Sequence, residues 1–81
     1  MNATLSTKAR RVKQALGQSL ARKPEELADE ILLKNLVAES FALIETVIDL
    51  QEELGIRLLQ EDLRDVETVG DLVRVCAERL D

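Results

Sequence analysis

Ser40-Phe41-Ala42-Leu43-Ile44-Glu45-Thr46-Val47-Ile48-Asp49-Leu50-Gln51-Glu52-Glu53-Leu54-Gly55 is the stretch that decides how the rest of the chain must fold. At about 100° per residue, Phe41, Leu43, Ile44, Val47, Ile48, Leu50 and Leu54 gather on roughly half of a helical circumference. Glu45, Asp49, Glu52 and Glu53 gather on the other half. Gly55 supplies a stop, because a residue without Cβ enters the left-handed turn that ends a helix without steric penalty. The spacing therefore predicts a helix from about Ser40 to about Leu54. Its apolar arc is too broad for one neighbour to cover, so several other elements must pack on it. Its acidic side must meet water or a basic partner.

Upstream, Leu5, Ala9, Val12, Leu16 and Leu20 recur at helical spacing and form one narrow stripe, with Lys8, Arg10, Arg11 and Lys13 outside it. This predicts a first helix over about Leu5 to Leu20, in which Gly17 weakens the last turns by about 1 kcal/mol relative to Ala. Residues 21–39 read as a connection broken at Pro24, with Pro24-Glu25-Glu26 suited to a short helical turn. Leu27, Ile31, Leu32, Leu33, Leu36 and Val37 are too apolar for a free loop and must pack down. Downstream, Ile56, Leu58, Leu59, Leu63 and Val66 mark a second compact connection, with a short helix predicted near Glu61 to Arg64. Thr68-Val69-Gly70-Asp71 has the form of a capping box, with Asp in place of the usual Glu or Gln. Val69, Leu72, Val73, Cys76 and Leu80 then form the buried stripe of a last helix. The expected fold is all-α: a small bundle of three main helices plus one short helix, forming a single domain over residues 1–81.

Composition narrows the function. The 81 residues suffice for one core, and 46% of them are hydrophobic, almost all aliphatic. One Phe and no Trp or Tyr leave no stacking platform for nucleic-acid bases. The net charge is -5, and it is unevenly placed. Lys8, Arg10, Arg11, Lys13, Arg22 and Lys23 are the only charges in the first 24 residues, and all sixteen acidic residues follow them. So acidic a body repels phosphate backbones and anionic membranes and attracts basic protein surfaces. There is no histidine, which removes the usual general base and the commonest metal ligand. Cys76 is the only cysteine; it falls on the buried stripe and is read as a core residue. The acidic pairs near Glu61 and Asp65 lack the spacing and glycine of a calcium loop, so no metal site is expected. No catalytic residue is expected either. With no signal-peptide run and no membrane-spanning stretch, the expected location is the cytoplasm.

Ser40 stands at the seam between the long connection and the acidic helix. A serine there ordinarily caps the free amides of the first turn. An anion attached to its hydroxyl would lie at the positive end of the helix dipole, a placement worth about 0.3–1 kcal/mol. An acidic ridge runs away from it along the helix.

Leu36-Val37-Ala38-Glu39-Ser40-Phe41 resembles the signature of the acyl carrier protein family, in which a leucine-glycine pair precedes Asp-Ser-Leu. Leu50-Gln51-Glu52-Glu53-Leu54-Gly55-Ile56 is similar to the acidic helix end of that family. Thr68-Val69-Gly70-Asp71-Leu72 is similar to the start of its last helix, and Arg11-Val12-Lys13, Gly17 and Leu20 to its first. The landmarks fit without insertions from about Leu5 to about Leu80. The resemblance implies that Ser40 carries covalent 4'-phosphopantetheine through a phosphodiester, whose thiol holds an acyl group as a thioester. It implies docking through Glu39, Phe41, Glu45, Asp49, Glu52 and Glu53. Phe41 is also expected to plug the top of the bundle or to line an acyl cavity. The implied partners are a phosphopantetheinyl transferase and acyl-transferring or acyl-modifying enzymes, with no nucleic acid and no membrane among them. Val37 in place of Gly, Glu39 in place of Asp, Phe41 in place of Leu and Ala42 in place of an acid depart from the pattern. They point to a specialised carrier rather than the housekeeping one of fatty acid biosynthesis. The alternative is an unmodified acidic adaptor that binds basic protein surfaces. The free protein is expected to be a monomer, because the three apolar stripes can cover one another.

Overall fold

The computed structural model describes residues 3–80, with side chains from Thr7 onward. It is all-α. Helices α1 (Ala3–Leu20), α2 (Leu33–Leu36), α3 (Ser40–Leu54) and α4 (Val69–Arg79) are joined by connections that contain 3-10 turns at Pro24–Glu26 and Gln60–Leu63. The stretch quoted first forms α3 with the expected bounds. Gly55 ends it at φ 66°, and the amides of Gly55 and Ile56 both donate to the carbonyl of Gln51.

Helix α1 buries Val12 and Leu16 completely, as the stripe predicts, with Ala15 beside them. The expected place of Leu5 lies outside the described side chains. The helix ends in a Schellman turn: the Ala21 amide donates to Gln18 and the Arg22 amide to Gly17. Ala21 sits there at φ 57°, a left-handed conformation that strains any residue with a Cβ. Ala21→Gly is therefore expected to stabilise the fold by about 1 kcal/mol, measured by urea unfolding. Gly17 is a correction to the sequence reading. A Cβ there would lie 2.6 Å from the carbonyl oxygen of Arg22. The glycine thus admits the returning chain, and a methyl group would displace the turn rather than strengthen the helix.

The connection after α1 packs down as expected. Leu27 and Leu33 are buried, and Ile31 and Leu36 rest against the core. Helix α2 is an addition to the sequence reading, because four residues are too few to show a period. Three backbone hydrogen bonds fasten its approach to the start of α4. Leu33 N–H donates to Glu67, Val69 N–H to Ile31 and Gly70 N–H to Asp29, each at 2.9 Å. These bonds fix the segment that delivers the chain to Ser40.

The expected capping box of α4 forms. The Asp71 amide donates to Thr68 Oγ1 at 3.1 Å, and Asp71 Oδ2 accepts the amides of Glu67 and Thr68. Those two backbone donors, with smaller help from the Thr68 hydroxyl and Arg74, hold the Asp71 carboxyl below the usual carboxylate range. The stripe of Val69, Leu72, Val73, Cys76 and Leu80 is buried, with Ala77 added. The short helix predicted near Glu61 to Arg64 is a 3-10 turn beginning one residue earlier. Asp62 anchors that turn by accepting the Leu59 amide at 2.9 Å and the Arg79 guanidinium at 2.7 and 2.8 Å.

Helix α1 runs antiparallel to both of its long neighbours. Near its end Ser19 Oγ donates to Asp49 of α3 while Arg11 and Gln14, further back, border Glu53 and Leu54 at the end of α3, and near its start Lys8 Nζ donates to the carbonyl of Leu80 just after α4. The starts of α3 and α4 therefore share one end of the bundle, and Ser40 lies there.

Candidate functional site

Ser40 is the first helical residue of α3 and is exposed. Its hydroxyl does not take the capping role that the sequence suggests. Glu39 occupies the cap position in extended conformation, and no side chain caps the helix. The first amides of α3 thus have no intrahelical partner, and they present positive charge beside the Ser40 oxygen. Among the described residues Ser40 Oγ has no hydrogen-bond partner. Of the other two serines, Ser19 is engaged with Asp49 and the side chain of Ser6 lies outside the described residues.

The outer face of α3 differs from the clean division of its wheel. Glu39, Glu45, Asp49, Glu52 and Glu53 are exposed, as expected. Asp49 has one oxygen committed to Ser19, so it fastens α3 to α1 as well as facing solvent. Phe41 is 70% exposed and does not plug the bundle. Ile44 and Ile48, assigned to the core by periodicity, are 57% and 45% exposed. In their place the buried side takes Thr46, whose hydroxyl donates to the Ala42 carbonyl at 3.0 Å. The ridge that runs from Ser40 is therefore mixed. Phe41, Glu45, Ile48 and Glu52 follow one another at helical spacing, an apolar side chain alternating with an acid.

Beside this ridge lies a groove of about 390 Å³ between α3 and the connection that follows it. Leu43, Ile44, Val47, Ile48 and Gln51 line it from α3. Leu58, Gln60, Leu63 and Val66 line the opposite wall, with Leu33 and Leu72 beneath. Its walls are aliphatic apart from Gln51 and Gln60. By the helical turn, Ser40, Ile44, Val47 and Gln51 fall within one narrow arc of α3, so the serine stands at one end of the groove. The sequence reading anticipated an acyl cavity only as one of two places for Phe41, which does not line this groove, and did not locate the groove. Its one signal was Gln51, a lone amide inside an apolar arc.

Cys76 is fully buried, and burial raises its thiol from 9.0 to about 11. Near neutral pH the thiolate is thus about a hundredfold scarcer than for an ordinary cysteine. A thiol reagent at pH 8 is expected to leave the native, unmodified protein unlabelled and to label one sulfur once urea is added. Labelling of the native protein at the unfolded rate would show Cys76 to be accessible.

An exposed serine at an uncapped helix start, with an acidic and apolar ridge on one side and an aliphatic groove on the other, matches a known arrangement. The model of a family described as "Phosphopantetheine attachment site" matches residues 10–76. The acyl carrier protein of Thermotoga maritima is 30% identical over 71 residues, covering 86% of this chain and 88% of the relative. That of Saccharopolyspora erythraea is 33% identical over 80% of this chain and 70% of the relative. That of Wolinella succinogenes is 33% identical over 78% and 84%. The chain belongs to the acyl carrier protein family. As a member it is a carrier of acyl groups on phosphopantetheine rather than an enzyme. Acyl carrier proteins meet a phosphopantetheinyl transferase and acyl-handling enzymes in turn, which requires an exposed attachment point and a reusable docking face. Among the described residues no helix is long and apolar enough to cross a membrane.

Proposed function

We propose that Ser40 is the residue that bears phosphopantetheine, and that the α3 ridge presents the loaded arm to successive enzymes. The observation that carries this reading is the exposed, unbonded Ser40 hydroxyl at the start of a helix whose first amides lack a capping side chain. A phosphate joined there meets free N–H donors and the positive end of the dipole, with no carboxylate folded over it. When bound, the arm supplies a thiol that holds an acyl group as an activated thioester. The chain supplies the rest. Ser40 tethers the cargo, which raises its effective concentration at each partner's active site. Glu39, Glu45, Asp49, Glu52 and Glu53 steer basic surfaces, and Phe41 and Ile48 give those surfaces something apolar to cover. Such mixed contacts associate fast and release readily, as a carrier with many partners requires. The aliphatic groove beside Ser40 suits the shelter of an acyl chain.

The departures around Ser40 support a specialised role. Phe41 places a ring where a smaller aliphatic residue would otherwise sit, and Glu39 sets its charge on a longer stem. We assign the protein to the cytoplasm as a monomeric single domain. The test uses coenzyme A and a broad-specificity transferase, followed by intact mass. A gain of one phosphopantetheine that disappears in Ser40→Ala is the expected result. No gain with any transferase, nor in protein from its native host, would favour an unmodified adaptor.

A further inference from the structure

Gln51 is half-buried, and it is the last residue that α3 contributes to the groove, about 16 Å along the helix axis from Ser40. Its side chain does something no other wall residue does. Oε1 accepts the amide of Leu58 at 2.8 Å, a hydrogen bond that joins the two walls. Leu58 is itself buried and lines the groove, so its amide has little access to water. The Gln51 carbonyl meanwhile accepts the amides of Gly55 and Ile56. One residue thus ties down the chain reversal and draws the far wall onto α3, at the end of the groove opposite Ser40. Elsewhere both walls are aliphatic except at Gln60, which makes no hydrogen bond across to α3 among the described residues. Apolar walls can part without stranding a polar group, whereas the bond at Gln51 resists separation, because parting leaves a buried amide unpaired. We propose that Gln51 sets the inner limit of the groove and, with it, the longest acyl chain that the carrier shelters. This rests on reading the groove as the acyl site.

The test charges the protein by transferase with a series of straight-chain acyl-coenzyme A thioesters, from butyryl to hexadecanoyl, and measures the melting temperature of each product. For the native sequence the temperature is expected to rise with chain length and then level off. In Gln51→Ala the levelling point is expected to move at least one member further along the series. Gln51→Glu keeps an acceptor of the same reach and is expected to level off where the native protein does. Hydrogen exchange of the Leu58 amide in the unmodified proteins, faster in Q51A and not in Q51E, checks that the bond is what changed. Should Q51A fail to fold, Q51S leaves room for a water on the Leu58 amide and carries the same expectation. An unchanged levelling point, with all melting temperatures lowered together, would confine Gln51 to the turn and overturn the proposal. No dependence on chain length in the native protein would remove the groove as an acyl site, and the proposal with it. Absence of the arm by mass would instead remove the carrier reading.

Discussion

Leu50→Ala is expected to destabilise the fold by about 2–5 kcal/mol, the usual consequence of emptying a fully enclosed leucine site. Leu50 is 0% exposed and joins Val12, Leu16, Leu72 and Cys76 in one core. A chain of 81 residues has a total stability of about 4–12 kcal/mol, so the loss would take about a sixth of it at the least. Urea unfolding followed by circular dichroism measures the effect directly. The aliphatic composition sharpens the expectation, because no buried aromatic ring is present to swing into the vacated space. A loss below about 1 kcal/mol would mean that the helices collapse onto the gap, and that the core is far looser than its close packing implies.

Phe41→Ala, nine residues earlier on the same helix, is expected to do the opposite. With 70% of its surface exposed, the ring contributes little to the core, and the unfolding midpoint should stay within about 0.5 kcal/mol of the native value. Binding should suffer instead. A large ring next to Ser40, the proposed attachment residue, flanked by Glu45 and Ile48, has the character of an interface anchor. Its truncation is expected to weaken association with the transferase by about 2 kcal/mol, roughly thirtyfold. Titration of the apo protein against the transferase, with Ser40 unmodified, reads this without any catalytic step. The residual binding should remain sensitive to salt, because the acidic part of the ridge is untouched. Loss of stability with unchanged affinity would return Phe41 to the core.

These two substitutions also mark what the sequence discloses and what it does not. The bounds of α3 and the start of α4 were legible because those ends are chemical. Gly55 takes a left-handed φ, and Thr68 and Asp71 exchange hydrogen bonds across a first turn. The packing of Leu27 and Leu33 was legible because so many aliphatic residues cannot remain in water. Helix α2 was not, since four residues complete barely one turn. The outward placement of Phe41, Ile44 and Ile48 was not legible either. Periodicity shows which side chains share an arc of a helix, but not how much of that arc the neighbours cover. Helix α1 covers one flank of α3, and the groove leaves the other open. Gly17 failed for a related reason: helix propensity is local, whereas the carbonyl of Arg22 that approaches Gly17 depends on how the chain turns back. The position of Ser40 at the tip of α3 was correct, but its hydroxyl leaves the cap empty.

The measurement that bears most directly on the carrier account is the location of the added mass. Trypsin cleaving after Lys34 and Arg57 releases residues 35–57, a fragment whose only hydroxyl-bearing side chains are Ser40 and Thr46. After treatment with coenzyme A and a transferase, that fragment should bear one phosphopantetheine, and fragmentation should place it on Ser40. The arm on any other residue, or a fully folded protein that no transferase modifies, would contradict the account.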